Sequence, residues 1–465
     1  MSFYINKILE FVKNKKICLL GLGKSNIAIA SVLNNLNVDF EVRDKNDCSE
    51  KLKKFKNSKI KKVFFENYLV DIDSDIIFLS PGIRPDIKEL KLAVNNGAIL
   101  SSEIDLFLRC CPTKNIFAIT GSDGKSTTSS LVYELLKESG KNAFLGGNIG
   151  IPVISQVKDM SSDSYVVLEL SSFQLMNLKI NPKVAVITNI SENHLDWHLS
   201  FDEYINSKFN IFKNQSYNNL LVVNHDDKIS NKVLDICKSK IREFSLDFHV
   251  NNGCFIENNG DIIFSNNGQT KKIINKQDLN LLGNHNLENF LASVSACIDY
   301  VDINSIEYVA KNFKGLEHRI EFVDEINCVK YYNDSIASTP TRVVRGALSI
   351  FQNNIILIAG GYDKHLSFEK FAKIVCDKVK LLILIGQTSE KIEKCINDLK
   401  SDRKPMIFKS SSMSDAVNLA NLKSSKGDVV LLSPACASFG MYNNFEERGN
   451  DFKNCVLNLK KEVLL

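Results

Sequence analysis

With 465 residues the chain is too long for one ordinary core, so two or three domains are expected. Its 44% hydrophobic and 24% charged residues sit near the globular average, which excludes a disordered chain. The net charge of +4 is spread through a Lys- and Asn-rich sequence and forms no basic tail, so no nucleic-acid partner is read from it.

In chain order, residues 16–20 read as a strand, 27–36 as a helix and 38–42 as the next strand. The turn GLGKSN lies between the first two, and Asp44 follows Gly23 by 21 residues at the end of the next strand, as in a dinucleotide-binding turn. Asn26 stands where the third glycine belongs, so the turn fits either a nucleotide-like ligand or a purely structural bend.

The pattern restarts at 116–119, a strand that runs into AITGSDGKSTT and then a helix with Leu131, Val132, Leu135 and Leu136 on one face, closed by Gly140. Backbone N–H groups of Gly121, Ser122, Asp123 and Gly124, together with the helix start, make an anion site, and Lys125 supplies a point charge for the β- and γ-phosphates. A hydroxyl of Ser126 or Thr127 suits Mg²⁺. Ile119 stands where the strict phosphate-loop pattern has glycine, so this is a compact variant; the bland alternative is a glycine-rich strand-to-helix turn.

Strand 165–168 is followed by ELSSFQL, and strand 184–188 by NISENHLDWH. Ligands of an open parallel sheet collect at the carboxyl ends of its strands, so Glu169 and His194 are expected on the same edge as the phosphate loop, a suitable setting for Mg²⁺. Taken singly, Glu169 reads equally well as a helix cap and His194 as a packed or exposed imidazole. Residues 251–268, rich in Asn and Gly, predict a hairpin insertion. In the last third, 355–359, 381–385 and 429–432 read as buried strands separated by helical stretches such as 368–375. The three restarts predict an α/β protein of three domains: an N-terminal Rossmann-like domain (1–111), a central P-loop mononucleotide-binding parallel sheet (112–315) and a C-terminal Rossmann-like domain (316–465).

Twelve cysteines without a CxxC pair favour reduced thiols over a disulfide framework. The start MSFYINKILEFVKNKK lacks the apolar core of a signal peptide, and no apolar run approaches the roughly 20 residues that span a bilayer, so a cytoplasmic chain without membrane insertion is expected.

Ten segments then occur in a familiar order: GLGKS at Gly21, SPGI at Ser80, TGSDGKSTT at Thr120, GGNIG at Gly146, ELSSFQL at Glu169, ENHLDWH at Glu192, GNHNLEN at Gly283, EHRIE at Glu317, NDSIAST at Asn333 and LSPACASF at Leu432. On these the chain resembles the Mur ligase family over essentially its whole length, and within it the branch that adds D-glutamate to UDP-N-acetylmuramoyl-L-alanine. The resemblance implies an ATP-dependent amide-bond ligase of peptidoglycan precursor synthesis that uses ATP and two Mg²⁺ ions and passes through an acyl phosphate; a monomer is expected.

It also implies residue roles. Lys125, Glu169, His194 and Lys208 would be catalytic, with Ser126, Glu169, His194 and Lys208 as its carbamate holding metal. By residue type alone Lys208, in YINSKFNIF, is one more solvated lysine; an ammonium beside two cations is repelled, whereas a carbamate ligates them. Asn286 and Asn289 would meet the adenine, with helix capping as their ordinary alternative. Arg319 and Asp334 would face the nucleotide. The UDP precursor falls to Lys24, Ser25, Asp44, Lys45, Gly82, Asn148, Ser171 and Gln174, and glutamate to Ser338, Lys364, Ser438 and Phe445.

Two departures stand out: Ile336 where many members have Lys, and Ser338 where they have Thr. They leave the handedness of the glutamate open between the D form and the L form used by a related ligase type. A folylpolyglutamate-synthase-like ligase, an NAD-dependent dehydrogenase built on the Gly21 turn, and a silent nucleotide-binding module are the competing readings.

Overall fold

The computed structural model describes residues 3–55, 60–351 and 354–463. The chain forms two compact units, Met1–Leu279 with Asn284–Asn312, and Asn280–Gly283 with Phe313–Leu465.

The first unit carries two sheets. Strands β1 (Ile17–Leu20), β2 (Phe40–Arg43), β3 (Ile60–Phe64), β4 (Ile76–Leu79) and β5 (Ile99–Ser101) form an all-parallel sheet in the order β3-β2-β1-β4-β5. Strands β1 and β4 are apolar and buried along their whole length, the pattern of strands covered on both faces. The chain reverses direction of travel across the sheet between β1 and β4, which makes a crevice at their carboxyl ends. The helix after β1 is Lys24–Asn35, beginning three residues earlier than the apolar spacing suggested, so Lys24 and Ser25 lie in its first turn.

The second sheet has nine strands: β6 (Asn115–Thr120), β7 (Ala143–Gly147), β8 (Tyr165–Glu169), β9 (Val184–Ile187), β10 (Leu220–Asn224), β11 (Lys240–Ser245), β12 (Asn252–Ile256), β13 (Asp261–Asn266) and β14 (Gln269–Asn275), in the order β14-β13-β12-β11-β10-β9-β6-β8-β7. The part from β7 to β12 is parallel. The hairpin expected at 251–268 is β12 with β13, paired antiparallel at Cys254 and Phe264, but it is no free-standing insertion: β12 continues the parallel sheet beside β11, and β14 adds a third strand.

No break in packing marks residue 111. One apolar cluster runs from Ile8, Leu33 and Phe78 through Phe107 and Cys110 of the Glu103–Cys110 helix to Ile154, Leu170 and Ile187. That helix starts at Ser102, whose hydroxyl accepts the Asp105 N–H at 3.1 Å, and the buried carboxylate of Glu103 takes the Ile154 N–H at 2.7 Å.

The second unit holds one sheet of β15 (Glu321–Ile326), β16 (Val329–Asn333), β17 (Ile355–Gly360), β18 (Val379–Ile385), β19 (Met406–Ser410) and β20 (Val429–Leu432), in the order β15-β16-β20-β17-β18-β19. All pairs are parallel except β15 with β16. All twelve cysteines are free thiols, eight of them buried. Among the described residues no helix is long and apolar enough to cross a membrane.

Candidate active site

β6 lies between β8 and β9, with Ile119 opposite Glu169 and Thr120 opposite Ile187. The phosphate loop, Glu169 and the 189–198 segment therefore leave the sheet at the same edge, from three adjacent strands.

The loop itself is clamped from both sides. The Asp123 carbonyl accepts the Thr188 hydroxyl at 2.6 Å, and Asn189 accepts from the Asp123 N–H with its side-chain oxygen and from the Ser122 N–H with its carbonyl. The Ser122 hydroxyl lies 2.7 Å from the buried Tyr204 phenol and accepts the Ser191 N–H. A Cβ on Gly121 would stand 1.9 Å from the Thr188 hydroxyl, and one on Gly124 2.2 Å from the Asn289 side-chain oxygen; both glycines have positive φ, so nothing larger fits. Lys125 begins the Lys125–Glu138 helix and donates to the Gly121 and Ser122 carbonyls at 2.9 and 2.8 Å. Ser126 is half-buried beside it, and Thr127 is buried in the helix packing.

Glu169 is 1% exposed and caps no helix, correcting that alternative. The helix that follows is started by Ser171, in a reciprocal capping box with Gln174. One Glu169 oxygen accepts the Asn148 amide at 2.9 Å, and the other is buried with no hydrogen-bond partner. An unpartnered buried carboxylate oxygen carries a desolvation cost that a cation or a proton relieves.

Lys208 is not the solvated lysine its residue type suggested. It is 1% exposed, on the Phe201–Phe209 helix, with its amine 2.6 Å from the Gly121 carbonyl and 4.7 Å from the centre of the Tyr204 ring. Burial pushes it well below the ordinary lysine range, and the neighbouring Lys125 charge adds to the effect. His194 is exposed at a positive φ, with its ring 4.9 Å from that of Phe173. No group of three or more His, Cys, Asp or Glu side chains poised for a metal exists among the described residues. The oxygen-rich set fits Mg²⁺ nonetheless: an orphaned carboxylate oxygen, a serine hydroxyl at the loop and a buried amine open to carbamylation.

Asn286 and Asn289 lie inside the Asn284–Cys297 helix, not at its cap. Asn289 is buried against the phosphate loop, accepting the Thr128 hydroxyl at 3.3 Å and donating to the Asn286 side chain.

At the β1/β4 crevice, Lys24 is exposed and Ser25 half-buried, while Asp44 accepts the Leu22 N–H at 2.5 Å and the Asn46 N–H at 2.9 Å. Lys45 and Gly82 are exposed. Asn26 is fully buried and donates to the Leu20, Gly21 and Phe78 carbonyls, so the side chain in the third-glycine position stitches the turn to β1 and β4.

In the second unit the loops after β16, β20 and β17, three adjacent strands, bring NDSIAST, SPACASF and GGYDK to one edge. Asp334 is buried, accepts the Ser433 hydroxyl at 2.7 Å and is pushed up by burial to about 7, with Arg319 pulling the other way. Ser338 is half-buried, Ser438 buried, Lys364 exposed, and Phe445 sets its ring 5.9 Å from His318. Sequence reasoning missed Arg448, which is 1% exposed and donates to Ser335 and to the Cys436 carbonyl, tying two of these loops together. It also missed Tyr204, although Tyr204 and Lys208 stand four apart on one helix face.

A clamped phosphate loop, an orphaned carboxylate oxygen and a buried lysine on one sheet edge, with a second α/β unit bearing its own polar loop edge, fit an ATP-dependent ligase of the amide-bond-forming class. The chain belongs to the Mur ligase family: the Mur ligase middle domain matches residues 119–297, the Mur ligase glutamate ligase domain 318–436 and the MurD N-terminal domain 16–89. It is 45% identical to the UDP-N-acetylmuramoylalanine--D-glutamate ligase of Clostridium botulinum, over 98% of this chain and 99% of that one. The enzyme of the same name from Acetivibrio thermocellus is likewise 45% identical, with the same coverage. In fold it is similar to the Thermotoga maritima UDP-N-acetylmuramate-alanine ligase MurC, with a TM-score of 0.59, 19% identity and coverage of 97% of this chain and 100% of that one. The Thermotoga maritima MurF ligase in complex with ADP gives 0.58 at 18% identity, covering 90% and 96%.

Proposed function

We propose that the chain joins D-glutamate to UDP-N-acetylmuramoyl-L-alanine with ATP, in peptidoglycan precursor synthesis. The observation that carries the residue-level reading is the meeting of the Gly121 carbonyl, Lys125 and Lys208 one strand away from the unpartnered oxygen of Glu169.

The precursor carboxylate displaces ADP from the γ-phosphorus of ATP, giving an acyl phosphate. The glutamate amine then adds to the acyl carbon, inorganic phosphate leaves and the amine loses its proton. Gly121 to Thr127 cradle the phosphates, and Lys125 swings its charge from its own loop's carbonyls to the γ-phosphate. Asn286 and Asn289 hold the base side of the nucleotide, with Arg319 and Asp334 as further nucleotide contacts. Ser126, Glu169, His194 and Lys208 as carbamate would hold Mg²⁺, two ions in all, which when bound neutralises the phosphate charge that builds up in the transfer. Lys24, Ser25, Asp44, Lys45 and Gly82 at the β1/β4 crevice carry the UDP part, with Asn148, Ser171 and Gln174 nearer the reacting end. Ser338, Lys364, Ser438 and Phe445 take the glutamate.

The domain limits 1–111, 112–315 and 316–465 belong to the same reading, as does a cytoplasmic location, which suits twelve free thiols and an ATP-consuming reaction. The test is product formation from the UDP precursor and ATP with D- and L-glutamate supplied separately. Product with the D form alone is expected; product with the L form alone would overturn the substrate assignment.

A further inference from the structure

Arg84 lies in the 80–87 loop after β4, two residues beyond Gly82, and belongs to neither the phosphate loop nor the metal set. Its guanidinium is used to the full. It holds Asp86 through two bonds of 2.8 Å and both oxygens of Glu203 at 3.0 and 3.1 Å, donates to the Trp197 carbonyl, and lies 4.9 Å over the Trp197 ring. The contact is returned, because the Trp197 indole N–H donates to the Gly82 carbonyl at 3.3 Å. With side chains of Arg84 and Glu203 only 16% and 22% exposed, this forked network is far from the solvated ion pairs that contribute little.

Glu203 passes the contact on. Its second oxygen also accepts the Leu199 N–H at 2.8 Å and stands 3.3 Å from His198, whose other ring nitrogen lies 2.9 Å from the Ser172 hydroxyl. Phe173 packs against His194, Trp197 and His198 together. Glu203 sits five residues before Lys208 on the same helix, and Ser172 three residues after Glu169. The bonds of Arg84 thus reach the segments that carry His194, Lys208 and Glu169. The three acidic and basic members are charged at neutral pH: Arg84 holds Glu203 and Asp86 below the usual carboxylate range, and burial keeps His198 neutral.

We infer that Arg84 is a positioning residue for the ligation: it latches the Gly82 loop to the 194–208 region, so that the precursor's carboxylate is presented in register with the phosphate site. This rests on the assignment of Gly82 to the UDP precursor. An error of about 1 Å in such a registration is enough to cost up to roughly a hundredfold in rate.

The experiment compares wild type, Arg84→Ala, Glu203→Gln and the double variant, with Trp197→Phe as a milder cut that keeps an aromatic ring while removing the indole N–H together with the five-membered half of the indole. Expected for Arg84→Ala are a rise of about tenfold in precursor KM and a fall of about tenfold in kcat, with ATP KM within about twofold of wild type. The double variant should be no worse than Arg84→Ala alone, because both cuts open one network. Trp197→Phe should raise precursor KM about threefold, and this variant decides the matter if Arg84→Ala fails to fold. A loss confined to kcat with precursor KM unchanged, additive losses in the double variant, or an unshifted precursor KM in Trp197→Phe would overturn the inference. If instead the wild type itself gives no product with the UDP precursor, the substrate assignment has failed, and the latch inference with it.

Discussion

The amines of Lys125 and Lys208 converge on a single acceptor, the Gly121 carbonyl, at 2.9 and 2.6 Å. Burial drives Lys208, the more buried of the two, toward its neutral form, and the nearby positive charge of Lys125 adds to the effect. A neutral amine captures CO₂ as a carbamate and releases a proton, which turns the repulsion by Lys125 into attraction.

Activity should therefore depend on dissolved CO₂. Wild type in CO₂-stripped buffer is expected to lose turnover and regain it on addition of bicarbonate. Lys208→Arg cannot form the carbamate, keeps its charge at all working pH values, and should lose at least about a hundredfold in kcat with no response to bicarbonate.

Lys125→Ala removes the phosphate-loop cation and should cut turnover by at least about a hundredfold while the thermal midpoint stays close to wild type. Turnover near the wild-type rate would refute its phosphate role.

Tyr204 links the loop to the helix of Lys208. Burial pushes its phenol up to about 12, so it stays protonated. Tyr204→Phe deletes the 2.7 Å contact with Ser122 while keeping the ring beneath Lys208. A stability loss of about 0.5–1.5 kcal/mol and a several-fold rise in ATP KM are expected from denaturation curves and initial rates.

Glu103 gives a pH signature. Burial raises its carboxyl from 4.5 to about 7, against the pull of the N–H groups of Ile154 and Val153. The folded state thus binds this proton more tightly than the unfolded chain does. The stability it contributes is fully present below about 4.5 and is lost as pH rises through about 7. Glu103→Gln keeps an acceptor for Ile154 but cannot ionise. Its thermal midpoint should approach wild type near pH 4 and exceed it at pH 8, by an amount corresponding to roughly 3 kcal/mol. Parallel pH curves for the two proteins would contradict this.

The legibility of the sequence varied with how local each signal was. The phosphate loop was readable because Gly121, Gly124, Lys125 and Ser126 sit in one short stretch between an apolar strand and a helix. Glu169 and the 189–198 segment followed from strand ends in a parallel sheet, since adjacency to β6 places them. Lys208 was unreadable from residue type: its burial comes from helix Phe201–Phe209 packing onto the loop, a tertiary fact, and only the family resemblance pointed to it. For Asn289 residue type alone left helix capping as the ordinary reading, because the match between its side chain and the space above Gly124 exists only once two helices pack; the adenine role came from the family resemblance. Arg84, Trp197 and Glu203 left no signal, being separated by more than a hundred residues from one end of the network to the other. The third strand of the 251–275 meander was missed because its first half, Gln269 to Lys272, is exposed and polar.

The central claim is that the precursor's carboxylate attacks ATP at the edge of the middle sheet. It is tested most directly by turning over UDP-N-acetylmuramoyl-L-alanine labelled with ¹⁸O in its carboxylate, with ATP and D-glutamate, and analysing the inorganic phosphate by mass. One ¹⁸O atom per phosphate is predicted, carried over when the acyl phosphate breaks. Phosphate free of label, with amide product formed, would contradict the account.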